Sequence, residues 1–290
     1  QGVGPRYCPS LEDKIVKFSG KPSHPLFLEP EGWETAEVYL QGANTSLPED
    51  VQLAMVRTIP ALEEAEIVRL GYAIEYDFVL PSQIKSSLES KPVPRLFLAG
   101  QVNGTSGYEE AAAQGIVAGV NAALSLRGKG EFILGRDEAY VGVLVDDLVT
   151  RGTTEPYRMF TSRAEYRLLL RSDNADLRLT PRGYEAGLVS ESRYNKVVEK
   201  KRRIAEILSL LSTRGHEGGK LITILRRQGG SFGDVLRVAP DLKEMEASAE
   251  VIEQVEIEAK YEGYLSRQAR EIEKYRAAEN RLIPEDFDYE

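Results

Sequence analysis

The chain has 290 residues, of which 42% are hydrophobic and 29% charged, proportions that are ordinary for a globular protein with one large or two average domains. One cysteine excludes an intrachain disulfide, and the two histidines are too far apart in sequence to suggest a zinc site. The net charge of −9 argues against a uniformly basic nucleic-acid binder, and no apolar run approaches the ~18–20 residues of a membrane span. We therefore expect a cytoplasmic protein with no metal site and no membrane segment.

Charge is distributed unevenly along the chain. Residues 151–203 contain 13 basic and 7 acidic residues, whereas residues 241–290 contain 7 basic and 15 acidic residues. A locally basic surface is therefore compatible with an acidic protein.

The first 130 residues alternate short apolar runs with turns, as in an α/β domain. The sequence SLPE at 46–49 matches a capping box with proline in the first turn, which predicts a helix from there to Thr58. Residues 73–80 are interpreted as a strand, and residues 96–99 as a buried strand. The sequence GKG at 128–130 indicates a hinge, so we place a domain boundary near Gly130.

Residues 96–126 are the most informative part of the chain. The apolar run stops at Gly100, further glycines follow at 104 and 107, and residues 109–124 have helical composition. A strand, a glycine loop and a helix start place unpaired N–H groups where a phosphate or a flavin carbonyl can bind. Small residues would let this helix lie tightly against a sheet: Ala111, Gly115, Ala118, Gly119 and Ala122. An ordinary strand-to-helix connection of an α/β domain explains the pattern equally well.

The second half of the chain has helical patterns. Residues 137–150 carry apolar side chains at helical spacing, and Thr180-Pro181 together with Gly187 brackets a short helix. Residues 190–212 predict a helix with Ser190 as N-cap and Gly215 just beyond its end. Residues 250–280 predict a long charged helix.

A series of arginines is a candidate surface for RNA phosphates. If residues 161–171 are helical, Arg163, Arg167 and Arg171 share one face, and Arg158, Arg178 and Arg182 are close in sequence. Aromatic side chains at Tyr157, Phe160 and Tyr166 provide flat partners for bases. A salt-bridged helix face that uses the nearby Glu165, Asp173 and Asp176 is an equally good interpretation.

Three pairs of adjacent carboxylates invite an acid–base interpretation: Glu63-Glu64, Glu109-Glu110 and Asp146-Asp147. Adjacent residues on a helix point in different directions. We therefore interpret these carboxylates as surface or capping groups, unless Glu109 reaches a cofactor.

The only cysteine, Cys8, follows Arg6 and Tyr7 and lies close in sequence to Lys14. Cationic neighbours favour the thiolate, which is the nucleophilic form of cysteine. A buried structural cysteine is the alternative, and for a lone cysteine in an arbitrary chain it is the more common case.

Six segments together resemble a known family. They are GPRYCPSLEDK at 4–14, FLEPEG at 27–32, TSLPEDVQ at 45–52, GYAIEYD at 71–77, AGQVNGTSGYEEAAAQG at 99–115 and FTSRAEYRLLL at 160–170. The chain resembles the MnmG (GidA) family of FAD-dependent tRNA wobble-uridine modifying enzymes, from Gly4 to about Tyr289. The resemblance implies that the chain corresponds to an internal piece of a longer protein.

The resemblance also implies an α/β fold class: part of a Rossmann-like FAD-binding domain of the glutathione-reductase type, followed by an α-helical domain. Residues 1–18 would end a nicotinamide-dinucleotide-binding insertion. Residues 19–130 would form the C-terminal part of the FAD-binding domain, and residues 131–290 would begin the helical region.

Site residues follow from the resemblance and from the chemistry of the matching positions. Cys8 would be the catalytic thiolate that activates the target uracil. FAD would be bound by Gln101, Asn103, Gly104, Thr105, Gly107 and Glu109. NAD would be bound by Gly4, Pro5, Arg6, Tyr7, Lys14 and Phe18. The arginines expected to bind tRNA are Arg158, Arg163, Arg167 and Arg171.

The implied activity is the addition of a carboxymethylaminomethyl or aminomethyl group to C5 of the wobble uridine of tRNA. It implies FAD, NADH as reductant, methylenetetrahydrofolate as one-carbon donor, glycine or ammonium as amine, a GTPase partner of the MnmE family and a homodimer. The isolated fragment is expected to be inactive. A folate- and FAD-dependent tRNA uridine C5 methyltransferase and a non-catalytic RNA- or protein-binding fragment are the alternatives.

Overall fold

The computed structural model describes residues 9–72, 74, 76–279 and 282. The described residues divide into two units. The first unit contains residues up to 122 together with residues 147–159, and the second contains residues 123–146 and those from 160 onward.

The first unit contains short elements joined by long connections. Helix α1 (Leu11–Lys17) is followed by strands β1 (Phe27–Pro30) and β2 (Val38–Gln41), which form an antiparallel hairpin. Helix α2 (Glu49–Val56) comes next, and helix α3 (Tyr108–Leu126) begins in this unit.

Helix α2 forms where the sequence predicts it, but the predicted capping box is wrong. The N-cap is Pro48, which makes no side-chain capping bond, and the helix ends at Val56. Ser46 instead donates its N–H to Oε1 of Glu12 (3.1 Å), and the same oxygen accepts from the Thr45 hydroxyl (2.8 Å). Burial alone would raise the pKa of Glu12, but these hydrogen bonds bring it below its ordinary value. A tertiary acceptor has therefore replaced the local cap.

The two predicted strands of the first unit are not formed as ladders. In the described part of residues 73–80, the backbone attaches to the glycine loop through one bond, from Val79 N to Val102 O (2.7 Å). Residues 96–99 make only a bridge between Phe97 and Glu89, and Leu96 is exposed rather than buried. A strand needs a neighbouring strand for its hydrogen bonds, and within the described residues the 96–99 run pairs only with the tight turn at 88–90.

Helix α3 confirms the predicted helix after the glycine loop. Its buried residues include Glu110, Gln114, Val117, Ala118 and Asn121. The predicted packing of small residues against a sheet is wrong for Gly115 and Gly119, because a Cβ at either position would meet nothing within 4 Å among the described residues.

The second unit is helical. It contains α4 (Tyr140–Asp146), α5 (Ala175–Glu185), α6 (Glu191–Thr213), the short hairpin of β3 (Gly215–His216) and β4 (Gly219–Lys220), α7 (Ile222–Leu225), α8 (Phe232–Val238) and α9 (Ala249–Glu279). Helix α6 packs against α5 and α9, and α7 packs against α8 and α9. The centre of this core is formed by fully buried side chains at Ile207, Leu211, Leu225, Val235 and Val255.

The helix predictions for the second unit hold at α6 and α9, whereas at α5 the predicted end is right and the predicted start is wrong. The Ser190 side chain caps α6 by accepting from Arg193 N (3.4 Å), as predicted. Helix α5 begins at Ala175, five residues before the predicted start, and contains Pro181 in its interior. Proline removes one backbone donor and disfavours an interior position, so packing against α6 outweighs this local preference.

The described residues contain no helix that is both long and apolar enough to cross a bilayer. Across the same residues, no group of three or more histidine, cysteine or acidic side chains has an arrangement that could hold a metal ion.

A cavity in the core of the second unit should be costly. We expect Leu211→Ala to lower the free energy of unfolding by about 3 kcal/mol, because Leu211 is fully buried in the core. The matched control is Leu126→Ala at the end of α3, where the side chain is 81% exposed, and its effect should stay below about 0.5 kcal/mol. Urea unfolding of both variants measures the difference, and equal losses would contradict the assigned core.

Candidate functional site

The glycine loop begins with one turn of 3-10 helix at Gly100–Asn103. Gly104 ends this turn in the left-handed region (φ +85°) and donates its N–H to Gln101 O (2.8 Å). A Cβ on Gly104 would also lie 3.1 Å from the Thr153 methyl carbon. Both the backbone conformation and the close contact therefore favour glycine at this position.

A buried amide holds the loop on helix α3. The Gln114 side chain is fully buried, and its Oε1 accepts from Gly100 N (3.2 Å) and from Asn103 Nδ2 (2.8 Å). Its Nε2 donates to Thr105 Oγ1 (3.0 Å) and to Glu110 O (3.1 Å). One side chain thus fixes the beginning, middle and end of the loop.

A second segment of the first unit runs beside the loop. Thr105 and Tyr157 form a parallel bridge: Tyr157 N donates to Gly104 O (2.8 Å), and Ser106 N donates to Tyr157 O (2.9 Å). The buried carboxylate of Glu110 accepts from Met159 N (2.7 Å). Residues 153–159 are therefore attached to the loop and to the first turn of α3.

The buried carboxylate of Asp147 holds this second segment in place. A π-helical turn at Asp147–Arg151 buries Asp147, and the hydroxyl of the buried Tyr157 donates to its Oδ2 (2.8 Å). π-helical turns are rare and are often found at functional sites. The turn fixes Tyr157, which in turn fixes the loop.

The start of helix α3 is open. The first bond of the helical series runs from Ala111 N to Gly107 O, so helix geometry leaves the N–H groups of residues 108–110 without a partner inside the helix. Tyr108 is 95% exposed and Glu109 is also exposed. Beside this helix start lies a recess lined by Tyr76, Phe78, Gln101, Gly104, Thr105, Thr153, Thr154, Glu155 and Pro156.

Three buried polar atoms of the loop and helix start lack a partner in the structure: Asn103 Oδ1, Ser106 Oγ and Glu110 Oε2. Buried polar atoms are nearly always hydrogen-bonded, and exceptions are frequent at functional sites. The open N–H donors and the exposed Gln101 amide suit the acceptor atoms of a polar or anionic ring edge.

The structure separates the predicted cofactor residues into two groups. Gln101 and Glu109 are exposed and available to a ligand, whereas Asn103 and Thr105 are buried and hold the loop. Gly107 is constrained by Glu110, because a Cβ there would lie 1.7 Å from Glu110 Oε2.

The predicted residues near the start of the chain lie partly outside the described residues. These are Gly4, Pro5, Arg6, Tyr7 and Cys8. Lys14 donates to Gly42 O, and Phe18 is partly exposed with the Lys21 ammonium 5.3 Å from its ring centre. Among the described residues, the dinucleotide prediction therefore rests on Lys14 and Phe18.

The interpretation of paired carboxylates as surface groups is wrong at Glu110 and Asp147, which are both buried. Gln114 was missed altogether. The sequence does indicate that Glu110 and Gln114 are buried, because positions 110, 114, 117, 118 and 121 share one face of a helix. The sequence does not show that Gln114 on this face bonds to Gly100, Asn103 and Thr105 of the loop.

The prediction that Arg163, Arg167 and Arg171 share one helix face is wrong. Residues 161–163 form a 3-10 turn and Ala164 is extended, so residues 161–171 are not one α-helix. Buried Ala164 and Tyr166 alternate with exposed Glu165 and Arg167, which places Arg167 on the outer side. Residues 165–169 form turns, so the helical spacing that would align the three arginines on one face is not present.

Arg171 is not part of this outer side. Its guanidinium pairs with Asp173 (3.1 Å) and bonds to Leu168 O. Burial alone would raise the pKa of Asp173, but hydrogen bonds from Gln254 and Arg171 bring it below its ordinary value. Arg171 therefore has a structural partner.

The remaining arginines are distributed differently. Arg178 donates to the backbone oxygens of Glu138 and Arg171, and Arg182 donates to Ile133 O. Arg158 belongs to the first unit, whereas Arg163 and Arg167 belong to the second.

Two family profiles match the chain. The profile described as "Glucose inhibited division protein A" matches residues 1–130. The profile described as "tRNA modifying enzyme MnmG/GidA C-terminal helical domain" matches residues 191–269.

Curated relatives match over the whole chain. The tRNA uridine 5-carboxymethylaminomethyl modification enzymes MnmG of Bacillus thuringiensis and Syntrophotalea carbinolica are 52% and 55% identical, respectively, over 100% of this chain. The match covers 49% of each relative, so the chain spans about half the length of the curated relatives it matches.

Solved structures of the same family are similar to this chain. Two crystal forms of Aquifex aeolicus GidA match with TM-scores of 0.76 and 0.75 at 49% and 47% identity. They cover 100% and 98% of this chain and 48% of the GidA chain in each case. The predicted fold class, an α/β part followed by a helical part, is confirmed.

The buried amide should matter more for stability than the exposed one in the same loop. We expect Gln114→Leu to lower the free energy of unfolding by about 2–3 kcal/mol, since Gly100 N and the Asn103 and Thr105 side chains lose their partner. Gln101→Leu is the matched control and should change it by less than about 0.5 kcal/mol, because Gln101 is exposed. Chemical unfolding of the ligand-free protein measures both, and a neutral Gln114→Leu would refute the loop's dependence on this residue.

Proposed function

The chain belongs to the MnmG/GidA family of tRNA uridine modification enzymes, and from this we propose that it forms part of an enzyme that adds a carboxymethylaminomethyl or aminomethyl group to C5 of the wobble uridine of tRNA. The observation that carries the proposal is the 52% identity over the entire chain to a relative of that name. The chain spans about half of that relative, so the activity is proposed for the longer enzyme and the fragment alone is expected to be inactive.

We propose FAD as the cofactor of the glycine loop. The Gln101 amide would donate to a phosphate oxygen or accept from a ribityl hydroxyl, without the repulsion that a carboxylate would cause. The open N–H groups at the start of α3 would face the edge of the flavin ring, with Glu109 beside them. When bound, FAD supplies the redox chemistry, and the protein positions it.

The glycines of the loop leave room for FAD beside the backbone. Gly104 keeps the backbone free of a side chain beside Gln101 and the recess, and Gly107 does so beside the helix start. Asn103 and Thr105 would act indirectly, because both side chains are buried and bonded to Gln114.

We propose that NADH binds near the start of the chain and serves as reductant. Arg6 and Lys14 would pair with phosphate oxygens, with Gly4, Pro5, Tyr7 and Phe18 completing the site. Of these residues, Lys14 and Phe18 belong to the described part of the chain.

We propose Cys8 as the nucleophile that activates the uracil. Its thiolate sulfur would form a bond to C6 of the ring, and the C5–C6 π electrons would move toward C5 and O4, giving an enolate-like C5 that reacts with an electrophilic carbon. Loss of the C5 proton and expulsion of the thiolate would then restore the ring and the free cysteine. Arg6 and Lys14, which are close to Cys8 in sequence, would favour the thiolate form.

The outer side of residues 163–167 is the proposed tRNA contact in the second unit. Arg167 is exposed, and the Arg163 guanidinium lies 6.0 Å from the centre of the Phe160 ring. Proteins hold RNA mainly through phosphates, 2′-hydroxyls and stacked bases, which suits arginines beside an aromatic ring. Arg158, in the first unit, is a separate proposed tRNA contact.

The longer enzyme is proposed to act in the cytoplasm as a homodimer with a GTPase of the MnmE family. Methylenetetrahydrofolate would be the one-carbon donor, and glycine or ammonium the amine. The match of residues 191–269 to an MnmG/GidA helical domain favours this activity over a folate- and FAD-dependent uridine methyltransferase.

The cofactor assignment is tested by Gln101→Ala in the full-length protein. We expect flavin content after purification to fall several-fold, because an exposed amide beside the recess is lost without damage to the fold. Flavin absorbance per protein and the FAD dissociation constant measure this. The control is Ser192→Ala, at an exposed position on α6, which should leave flavin binding unchanged. Unchanged flavin affinity in Gln101→Ala would count against the placement of FAD at this loop.

The catalytic assignment is tested by Cys8→Ser in the full-length protein. A serine hydroxyl is a far weaker nucleophile than a thiolate, so modified wobble uridine should fall below detection while flavin content and tRNA affinity remain normal. Nucleoside analysis of the tRNA gives the result. Normal product would remove Cys8 from the reaction.

A further inference from the structure

Residues 160–170 carry the proposed tRNA-binding arginines but have little regular structure to hold them. The backbone makes only turn-type bonds there, such as Arg163 N to Phe160 O (2.9 Å) and Leu169 N to Tyr166 O (2.9 Å). The shape of this segment must therefore be fixed mainly by side chains from elsewhere in the second unit.

Arg136 supplies such contacts to the segment. Its Nε and Nη2 donate to the two carboxylate oxygens of Glu165 (2.7 and 2.9 Å), and Nη2 also donates to the backbone oxygen of Arg163 (3.3 Å). Its Nη1 donates to Asp146 Oδ2 (2.8 Å) and to Val143 O (3.4 Å). The guanidinium therefore joins the end of α4 to the segment.

These five hydrogen bonds equal the number of N–H donors of a guanidinium. The Arg136 side chain is also only 20% exposed. Although Arg136 lies near other arginines, it has no donor left for an RNA phosphate. Its contacts are all made within the protein.

The charge of Glu165 gives this arrangement a second consequence. Glu165 lies between Arg163 and Arg167 in sequence, where an unpaired carboxylate would attract either cation and weaken its contact with phosphate. Bidentate pairing with Arg136 holds the carboxylate in one place and balances its charge.

We propose that Arg136, acting through Glu165 and the Arg163 backbone, is a positioning residue that presents Arg163 and Arg167 to tRNA. This inference rests on the proposed function of the segment. Arg136 itself does not touch the RNA.

The decisive variant is Glu165→Ala in the full-length protein. Charge alone predicts tighter tRNA binding, because a negative charge is removed from the RNA-binding side. Positioning predicts the opposite, because Arg136 loses its bidentate partner, and we expect a roughly fivefold loss of tRNA affinity. The slope of log affinity against log salt should also decrease in magnitude by about one, as for a lost phosphate contact.

The matched control is Asp241→Ala. Asp241 is also a bidentate partner of an arginine in the second unit, accepting from Arg214 at 2.6 and 2.8 Å, and within the described part of the chain its side chain bonds to Arg214 rather than to residues 160–170. This variant removes the same charge and should not weaken tRNA binding. Flavin content and thermal unfolding of both variants show whether the fold is intact.

A second variant, Arg136→Lys, keeps the charge but offers three donors in place of a five-donor fork, and it should also lose about fivefold in tRNA affinity. Unchanged or tighter tRNA binding in both Glu165→Ala and Arg136→Lys would overturn the inference. Arg167→Ala separates the two levels of the proposal. If it leaves tRNA affinity and the salt slope unchanged, the proposed function of the segment fails, and the inference fails with it. If it weakens binding while the other two variants do not, only the positioning by Arg136 is wrong.

Discussion

The glycine loop depends on one buried amide, the side chain of Gln114. A loop of this kind contains backbone groups that no helix or sheet ladder can pair, and leaving them buried without partners would cost more than most single contacts contribute. Gln114 offers two donors and an acceptor oxygen from a rigid helix, and it uses them on residues 100, 103, 105 and 110. Because the amide occupies the inner side of the loop, the outer side and the start of α3 stay open to a ligand.

The same solution occurs a second time, with a charged group, in the other unit. Residues 160–167 have no ladder of their own, and Arg136 joins them to α4 through one guanidinium. In both places a side chain with several donors, placed on or beside a helix, fixes an irregular segment. The groups left open include Gln101 and the first N–H groups of α3 in one case and the exposed Arg167 in the other.

This division of labour explains why the candidate site residues differ in character. Asn103 and Thr105 are buried and bonded to Gln114, so they would act on the proposed cofactor through the shape of the loop, whereas the exposed Gln101 and Glu109 would act directly. Arg171 and Arg178 are bound to Asp173 and to backbone oxygens, whereas Arg167 is exposed. Residue type alone does not distinguish a structural arginine from one available to RNA, because the distinction lies in which donors are already used.

The sequence alone determined the elements whose causes are local: the helix after the glycine loop, the Ser190 cap with α6, and the long α9. Its motifs also led to the family, because ordered segments of unusual residues are specific. It failed where distant partners decide the outcome. Residues 96–99 form a single bridge instead of a strand ladder, and Ser46 binds Glu12 instead of capping α2. Residues 161–171 do not form one helix, and Glu165 within them is bonded to Arg136. Helix propensity and caps act over about four residues. Gln114 bonds to the loop across 9 to 14 positions and Arg136 bonds to Glu165 across 29, so only the tertiary structure could place them at the centre of the two candidate sites.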